Sequence, residues 1–306
     1  MSFSIRMICL GLSLITVTGC ESTNWNWLKR DTTARDTGKL GTAVTAKALV
    51  DYLNDNAARV QSVRYDDVAI DASLENQPFG ARGRIYADKP KNFRMKVTAL
   101  GKDKVDIGSN VQEFWFWAAD NPQRYQYFCS YQDLARGPIE MMPLPIQPEF
   151  VMETLGLGPY SAEKVQLEPG NPTDPNYRLV EKLRSPQGRM VRKVIVMSRK
   201  EVRAPAPQVS AYLLLDDATG AEICSAHITE TRLARIDSTR SAIVPYRMEL
   251  RVPAQKMTLK LKLDGLKIND SIPATAFQRQ PIMGAEPFNL ATGRPEPWSL
   301  QPAGLR

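Results

Sequence analysis

Met257-Thr258-Leu259-Lys260-Leu261-Lys262-Leu263-Asp264 is the stretch that decides the fold. Large apolar residues alternate with polar or charged ones at every position. A period of two places the two sets on opposite sides of an extended strand. One side is dry and the other wet, as in an antiparallel sheet with one solvated face.

The same period runs outward through the chain. Val68, Ile70 and Ala72 alternate with polar partners, and Phe93, Met95 and Val97 alternate with Arg94, Lys96 and Thr98. Tyr125, Tyr127, Cys129 and Tyr131 alternate with Gln126 and Ser130. Segments near 81–87, 105–110, 113–119, 177–183, 190–199, 209–216, 223–236 and 243–252 also read as strands. About eleven consecutive strands of this kind must curl or close. The expected fold is mainly β with some α, an incomplete antiparallel barrel.

Two segments have helical period instead. In Thr42 to about Val63, Ala46, Leu49, Val50, Leu53, Ala57 and Val60 form one apolar stripe. Lys47, Asp51, Asn54, Asp55 and Arg59 lie off it. Pro148 to Leu155 starts with Pro, carries Glu149 in its first turn and is followed by Gly156. The apolar, Pro-rich loop Met141-Met142-Pro143-Leu144-Pro145-Ile146 precedes it. From Pro281 to Arg306 the prolines Pro281, Pro287, Pro295, Pro297 and Pro302 break the pattern, and this tail reads as extended or disordered.

The N-terminus carries an export signal. Arg6 precedes an apolar run, Met7 to Val17, too short to span a bilayer and suited to a signal-peptide core. Thr16-Val17-Thr18-Gly19-Cys20 follows and resembles the bacterial lipobox. Residues 1–19 then read as signal peptide and Cys20 as the lipidated first mature residue. The alternative is an ordinary secretory signal with an incidental cysteine. Acyl chains stabilise membrane binding by about 0.8 kcal/mol per buried CH2, and lasting attachment takes more than one chain. Glu21 is not the Asp that retains enterobacterial lipoproteins on the inner membrane, so the outer membrane is the expected location. Residues 20–40 read as a polar tether, with Trp25 and Trp27 suited to the head-group region. Residues 41–280 form the expected β domain.

Charge and cysteine content narrow the classes. The net charge of +7 falls to +6 once Arg6 leaves, and the basic surplus is spread along the chain. That excludes a nucleic-acid cluster and leaves either attraction to anionic head groups or a solvated surface. Cys129 and Cys224 remain after Cys9 leaves and Cys20 is acylated. They either pair or stay as buried thiols. Enzyme chemistry finds little support, and a convergent polar cluster in a cleft would revive it. His227 is the single histidine, so a zinc site is improbable. Neither Asp66-Asp67 nor Asp216-Asp217 makes a convergent acid–base couple. No cofactor is implied.

Three motifs, in order, resemble the LolA/LolB-like carriers and acceptors of bacterial lipoproteins. They are Gly83-Arg84-Ile85-Tyr86-Ala87-Asp88-Lys89-Pro90-Lys91-Asn92-Phe93-Arg94, then Ile107-Gly108-Ser109-Asn110 with Glu113-Phe114-Trp115-Phe116-Trp117, then Ile268-Asn269-Asp270-Ser271-Ile272-Pro273 with Phe277. The resemblance spans about residues 42–280. It implies an incomplete barrel of about eleven strands, plugged by helices, with an apolar cavity for acyl chains. It also implies a gating role for Lys89, where the carrier has an Arg. Lys lacks the bidentate fork of Arg. Inserts around Pro138–Pro148 and Pro169–Pro175 depart from the family, and its protruding apolar loop is not recognisable in the sequence.

On this reading Phe93, Met95, Trp115, Trp117, Tyr125 and Tyr127 supply a cavity wall, and Phe150, Val151 and Leu155 lie on the covering helix. An acyl chain binds there through loss of apolar area from water, at about 25 cal/mol per Å2. The expected partners are a membrane, reached through the N-terminal lipid, and a lipid or lipoprotein acyl chain. The alternative is a structural or sensory envelope lipoprotein with a filled core that binds a protein partner. A cavity of several hundred Å3, or its absence, separates the two.

Overall fold

The computed structural model describes residues 44–298, except 76, 141, 143–147, 172 and 200–207. The signal peptide, Cys20, the tether with Trp25 and Trp27, and most of the apolar loop therefore lie outside the described residues. In chain order the elements are α1 (Ala46–Ala58), β1 (Ser62–Leu74), β2 (Gln77–Asp88), β3 (Asn92–Ala99), β4 (Lys102–Ser109), β5 (Glu113–Ala118), β6 (Tyr125–Ser130), α2 (Tyr131–Arg136) and α3 (Pro148–Thr154). Then come β7 (Val165–Leu167), β8 (Asn176–Arg184), β9 (Met190–Ser198), β10 (Gln208–Asp216), β11 (Glu222–Arg235), β12 (Ser241–Val252), β13 (Met257–Ile268), β14 (Glu286–Asn289) and β15 (Arg294–Pro295).

All fifteen strands belong to one open sheet, in the order β15-β14-β6-β5-β4-β3-β2-β1-β13-β12-β11-β10-β9-β8-β7. The expectation of about eleven strands is too low. β7, β14 and β15 have three, four and two residues, too few to display a period of two. The longer strands are the segments that alternation marks. The tail is not a free appendage up to residue 298. β14 pairs with β6, in parallel, and Phe288 and Leu290 are buried. Pro287 donates no backbone hydrogen bond, so proline content disguised a strand at the sheet's edge.

The helix expected over 42–63 is shorter. Thr45 caps α1 by accepting from the Ala48 amide at 3.2 Å, and Arg59 closes the other end. α3 matches its expected start at Pro148, and Gly156 adopts φ +82° just beyond it, a conformation that suits glycine. α2 takes Tyr131, which reads as strand in sequence, because Ser130 caps the Asp133 amide at 2.9 Å.

Register fixes the faces. Val68, Ile70 and Ala72 stand opposite Leu263, Leu261 and Leu259, and on the other side opposite Gly83, Ala81 and Phe79. Ile85 and Ala87 continue to Met95 and Phe93, then to Ile107 and Ser109, then to Phe116 and Phe114, then to Tyr127 and Cys129. This is the concave face. Met152 and Leu155, with Leu157 beyond them, pack into the core it forms with β1, β2, β3, β12 and β13. Ile139 and Met142 pack on Phe114 and Cys129, with Tyr131 and Leu134 beside them.

Candidate functional site

Burial on the concave face is graded along the strand direction. At the end where β1 begins, Val63, Tyr65, Ala87 and Cys129 are fully buried. At the opposite end, Leu74 is 47% and Phe79 49% exposed. Between these limits Met95, Val105, Ile107, Phe116, Tyr125 and Tyr127 are half-buried. The helices seal one end of an apolar face and stop short of the other. Among the concave positions of β1, β3, β4, β5 and β13 the one charged side chain is Lys102, opposite Ala99 at the open end of β4.

Aromatic rings dominate the open end near the sheet's edge. Phe116 stacks on Tyr127 with centroids 4.7 Å apart and planes 11° apart. Tyr125 meets Tyr127 edge-on at 5.8 Å, and Phe288 lies 4.8 Å from Tyr125. The Tyr127 hydroxyl donates to the Gln123 side chain and accepts from Asn121 Nδ2 at 3.3 Å. The surface is greasy with a neutral polar edge, a combination that suits tyrosine.

Six of the sequence-expected wall residues divide between two faces. Phe93, Met95, Tyr125 and Tyr127 are concave. Trp115 and Trp117 are not: they stand opposite Gly108 and Asp106, on the convex face. Trp115 is 1% exposed and lies across Gly108, whose hypothetical Cβ would sit 2.3 Å from Trp115 Cζ2. Both faces of β5 are covered, which is why both are aromatic. The cover on the convex side is the chain after β13. Arg94 Nη1 donates to the carbonyls of Ala276 and Gln278 at 3.1 and 2.9 Å, while Arg94 grips Asp106 with Nε at 3.0 Å and Nη2 at 2.7 Å. Arg279 pairs with Glu113 at 3.1 Å and lies over the Phe128 ring at 3.9 Å.

Phe150 and Leu155 are buried and Val151 half-buried on or just after α3. Phe150 packs edge-on against Tyr212, centroids 6.2 Å apart. Lys89 reaches α1: its Nζ donates to the Ala57 carbonyl at 2.6 Å, at the negative end of the helix dipole. Burial lowers the pKa of this ammonium. Asn54, read as lying off the apolar stripe, points inward, and so does Asn56. Each side-chain amide copies a backbone pair: Asn54 with Tyr160 N and O, both at 2.9 Å, and Asn56 with Ile243 N and O, at 2.8 and 2.9 Å. Nothing in the sequence distinguishes such asparagines from solvated ones.

Under α3 the wall is charged. Lys193 Nζ lies 2.8 Å from Glu153 Oε1 and 2.7 Å from Glu181 Oε2, on the concave positions of β9 and β8. Burial raises the pKa of Glu153, and the ammonium offsets this only in part. Burial opposes the charge of Lys193, but the two carboxylates outweigh it and raise its pKa. Two small cavities adjoin the helices. One of about 60 Å3 is lined by Tyr52, Asn56, Tyr160, Tyr212 and Val244, the other of about 50 Å3 by Phe150, Glu153, Leu183 and Lys193. Ligand pockets measure roughly 300–1,000 Å3. Neither of these two cavities is of that size, and the half-buried apolar rows lie beside them as an open-sided surface.

Cys129 and Cys224 are free and buried, so the disulfide alternative gives way to the thiol alternative. They sit in β6 and β11, separated by seven strands of the sheet. Burial pushes both thiols up to about 12. His227 stands on the convex side opposite Glu249. Among the described residues no cluster of His, Cys, Asp and Glu is arranged for a metal, and no helix is long and apolar enough to cross a membrane. One feature hidden in the sequence is an apolar tip. Leu100, in the β3–β4 hairpin, is fully exposed at φ +51°. Leu74, Phe79 and Met283 are exposed at the same end of the sheet.

No family model and no curated protein matches the chain. Solved structures do. A DUF1329 family protein from Desulfovibrio piger aligns over 76% of this chain and 95% of its own, with 7% identity and a TM-score of 0.49. A LolA superfamily protein from Nitrosomonas europaea aligns over 78% and 99%, with 12% identity and a TM-score of 0.45. An outer membrane lipoprotein-sorting protein domain from Vibrio parahaemolyticus aligns over 76% and 97%, with 10% identity and a TM-score of 0.47.

Proposed function

We propose that this chain is an envelope lipoprotein, anchored through Cys20 and facing the periplasm, that binds an acyl chain or lipoprotein lipid anchor on the open half of its concave face. The observation that carries this reading is the gradient along the apolar rows of β1 and β2, from Val63 and Ala87, fully buried, to Leu74 and Phe79, about half exposed. Contiguous exposed apolar surface on a folded protein marks an interaction site. Hydrocarbon gains most where aromatic and Met side chains already line the wall. Met95, Ile107, Phe116, Tyr125 and Tyr127 are the lining residues. Lys89 clips the end of α1, so its release extends the surface toward Phe93 and Ala87. The exposed tip at Leu100 directs this open end toward a membrane.

The test uses the chain from residue 20 with Cys20→Ser, titrated with a fluorescent fatty acid. Saturable binding that weakens in Phe116→Ala and Tyr127→Ala supports the proposal. A flat titration, together with a native mass spectrum free of lipid adducts, refutes it.

A second reading has its own observation. The two cavities beside the helices are small, and α1 is pinned by Asn54 and Asn56. A structural or sensory lipoprotein with a filled core has that interior. One stoichiometric protein partner, with no lipid bound, favours it.

A further inference from the structure

We propose that residues 284–298 form a hinged plug that covers one end of the open apolar face and competes with hydrocarbon for it; the proposal rests on the lipid-binding reading above.

The chain after β13 has two parts with different attachments. Residues 274–280 are clamped to the convex face. Phe277 is buried, Asn110 Nδ2 donates to its carbonyl at 3.0 Å, and Gln126 Nε2 donates to the Gln280 carbonyl at 3.2 Å. The Arg279–Glu113 pair sits in the same interface, its side chains 8% and 6% exposed. A buried pair of this kind is costly to break, so this part stays in place.

The second part is a small closed unit. β14 and β15 turn back on each other, Gly293 N donates to the Asn289 carbonyl at 2.9 Å, and Glu296 Oε1 accepts from Asn289 Nδ2 at 2.8 Å and from the Thr292 hydroxyl at 3.1 Å. These bonds lie within the hairpin and survive if it swings away. Its ladder to β6 is four residues long, and one of the four is Pro287. The connection between clamp and hairpin is one tight turn, held by the Ala285 amide donating to the Ile282 carbonyl at 3.0 Å, and we take it as the hinge. Met283 is fully exposed, and Gly284 adopts φ +78° with no atom within 4 Å of a hypothetical Cβ.

What the hairpin covers gives it a role. The Phe288 ring is 7% exposed and lies 4.8 Å from Tyr125 and 5.5 Å from Tyr127. It occupies the ring faces that an acyl chain would take at the edge of the open surface. Hydrocarbon on these rings would replace the apolar contact that Phe288 gives up, and it would have to cover the site of Leu290, 3% exposed in the same cluster, as well. Lifting the hairpin extends the open face to the outer margin of β6. Trp298, 4.6 Å from Arg279, is the counter-anchor that returns the unit.

The experiment measures amide hydrogen exchange and affinity together, on the chain from residue 20 with Cys20→Ser and a fluorescent fatty acid as probe. Bound probe is expected to speed exchange at 288–290. Phe288→Ala is expected to tighten the probe about tenfold, and Phe288→Leu, which keeps the bulk needed for folding, to tighten it less. Unchanged or slower exchange at 288–290 with the probe bound overturns the plug while leaving the binding reading intact. So does weaker binding by Phe288→Ala, which would make the ring part of the wall. Absence of saturable binding in every variant overturns both.

Discussion

Lys193→Met tests whether α3 is held to the concave wall by charge. The ammonium stands 2.8 Å from Glu153 and 2.7 Å from Glu181, and the three side chains are 11%, 12% and 16% exposed. At this burial, solvent screening discounts the interaction little. Removing the ammonium leaves two carboxylates facing each other across the gap. At about 5 Å and an effective dielectric near 20, their repulsion is roughly 3 kcal/mol. Breaking a buried pair typically costs about 3–5 kcal/mol. Met fills most of the vacated volume, so the cavity contribution is small. The expected loss at pH 7.5 is about 3 kcal/mol, or roughly 6–12 °C in Tm for a domain of this size. The pH dependence fixes the mechanism. Burial already holds the folded-state pKa of Glu153 above its unfolded one, and losing the ammonium removes what offsets that burial. Such a group binds its proton more tightly when folded, so its penalty is full above the folded-state value and fades as the pH falls through it. Urea titrations followed by tryptophan fluorescence at pH 7.5 and pH 5 therefore give a smaller difference between variant and wild type at pH 5. Adding Glu153→Gln and Glu181→Gln to the variant restores most of the midpoint. A loss under about 1 kcal/mol, or one equal at both pH values, refutes a charge-held α3.

Three further outcomes follow from single contacts. Gly108→Ala drives a methyl into Trp115, 2.3 Å away at Cζ2, and should cost about 1–3 kcal/mol in urea titrations with a shifted tryptophan emission maximum. Leu100→Asp touches no neighbour, so Tm should hold within a degree or two, while sedimentation with phosphatidylglycerol vesicles falls severalfold. Cys129 and Cys224, buried and with thiols pushed up to about 12, should ignore a thiol reagent at pH 8 for hours and react fully in urea; rapid reaction of the native chain refutes their burial.

The sheet was legible wherever a strand had one wet face. Met257–Asp264 alternates because Leu259, Leu261 and Leu263 meet Ala72, Ile70 and Val68 while the lysines meet water. β5 defeated the same reasoning. Glu113–Ala118 is apolar on both sides, so period two could not tell Phe116 from Trp117. What separates them is a segment more than 150 residues later, where Arg279 reaches back to Glu113. The sign available in sequence was Gly108, the one position across the strand pair where a tryptophan can lie flat. Lys89 was singled out by a resemblance in its neighbours, and its contact with the Ala57 carbonyl could not be read from the sequence, because it joins a turn to a helix end 32 residues away. Asn54 and Asn56 were not singled out, since a polar residue off the apolar stripe looks the same whether it meets water or a backbone.

Helix coverage explains why the open end has the chemistry it does. At 1.5 Å per residue, α1 spans about 20 Å and α2 and α3 each about 10 Å, whereas fifteen strands about 4.8 Å apart make a sheet roughly 70 Å wide. The three helices among the described residues are too short to cover such a face. A protein that needed only a filled core would turn polar on its concave positions where the helices end. This one does not: Leu74 and Phe79 follow Ala72 and Ala81 in the same rows, and Tyr125 and Phe116 follow Cys129 and Phe114. Exposed apolar rows cost solubility and contribute nothing to folding, so their retention points to a hydrophobic partner. Replacing Leu74 and Phe79 with Ser separates the two readings. If these side chains serve a ligand, Tm is unchanged and fatty-acid affinity drops severalfold. If they serve the core, Tm falls and affinity, where there is any, does not change.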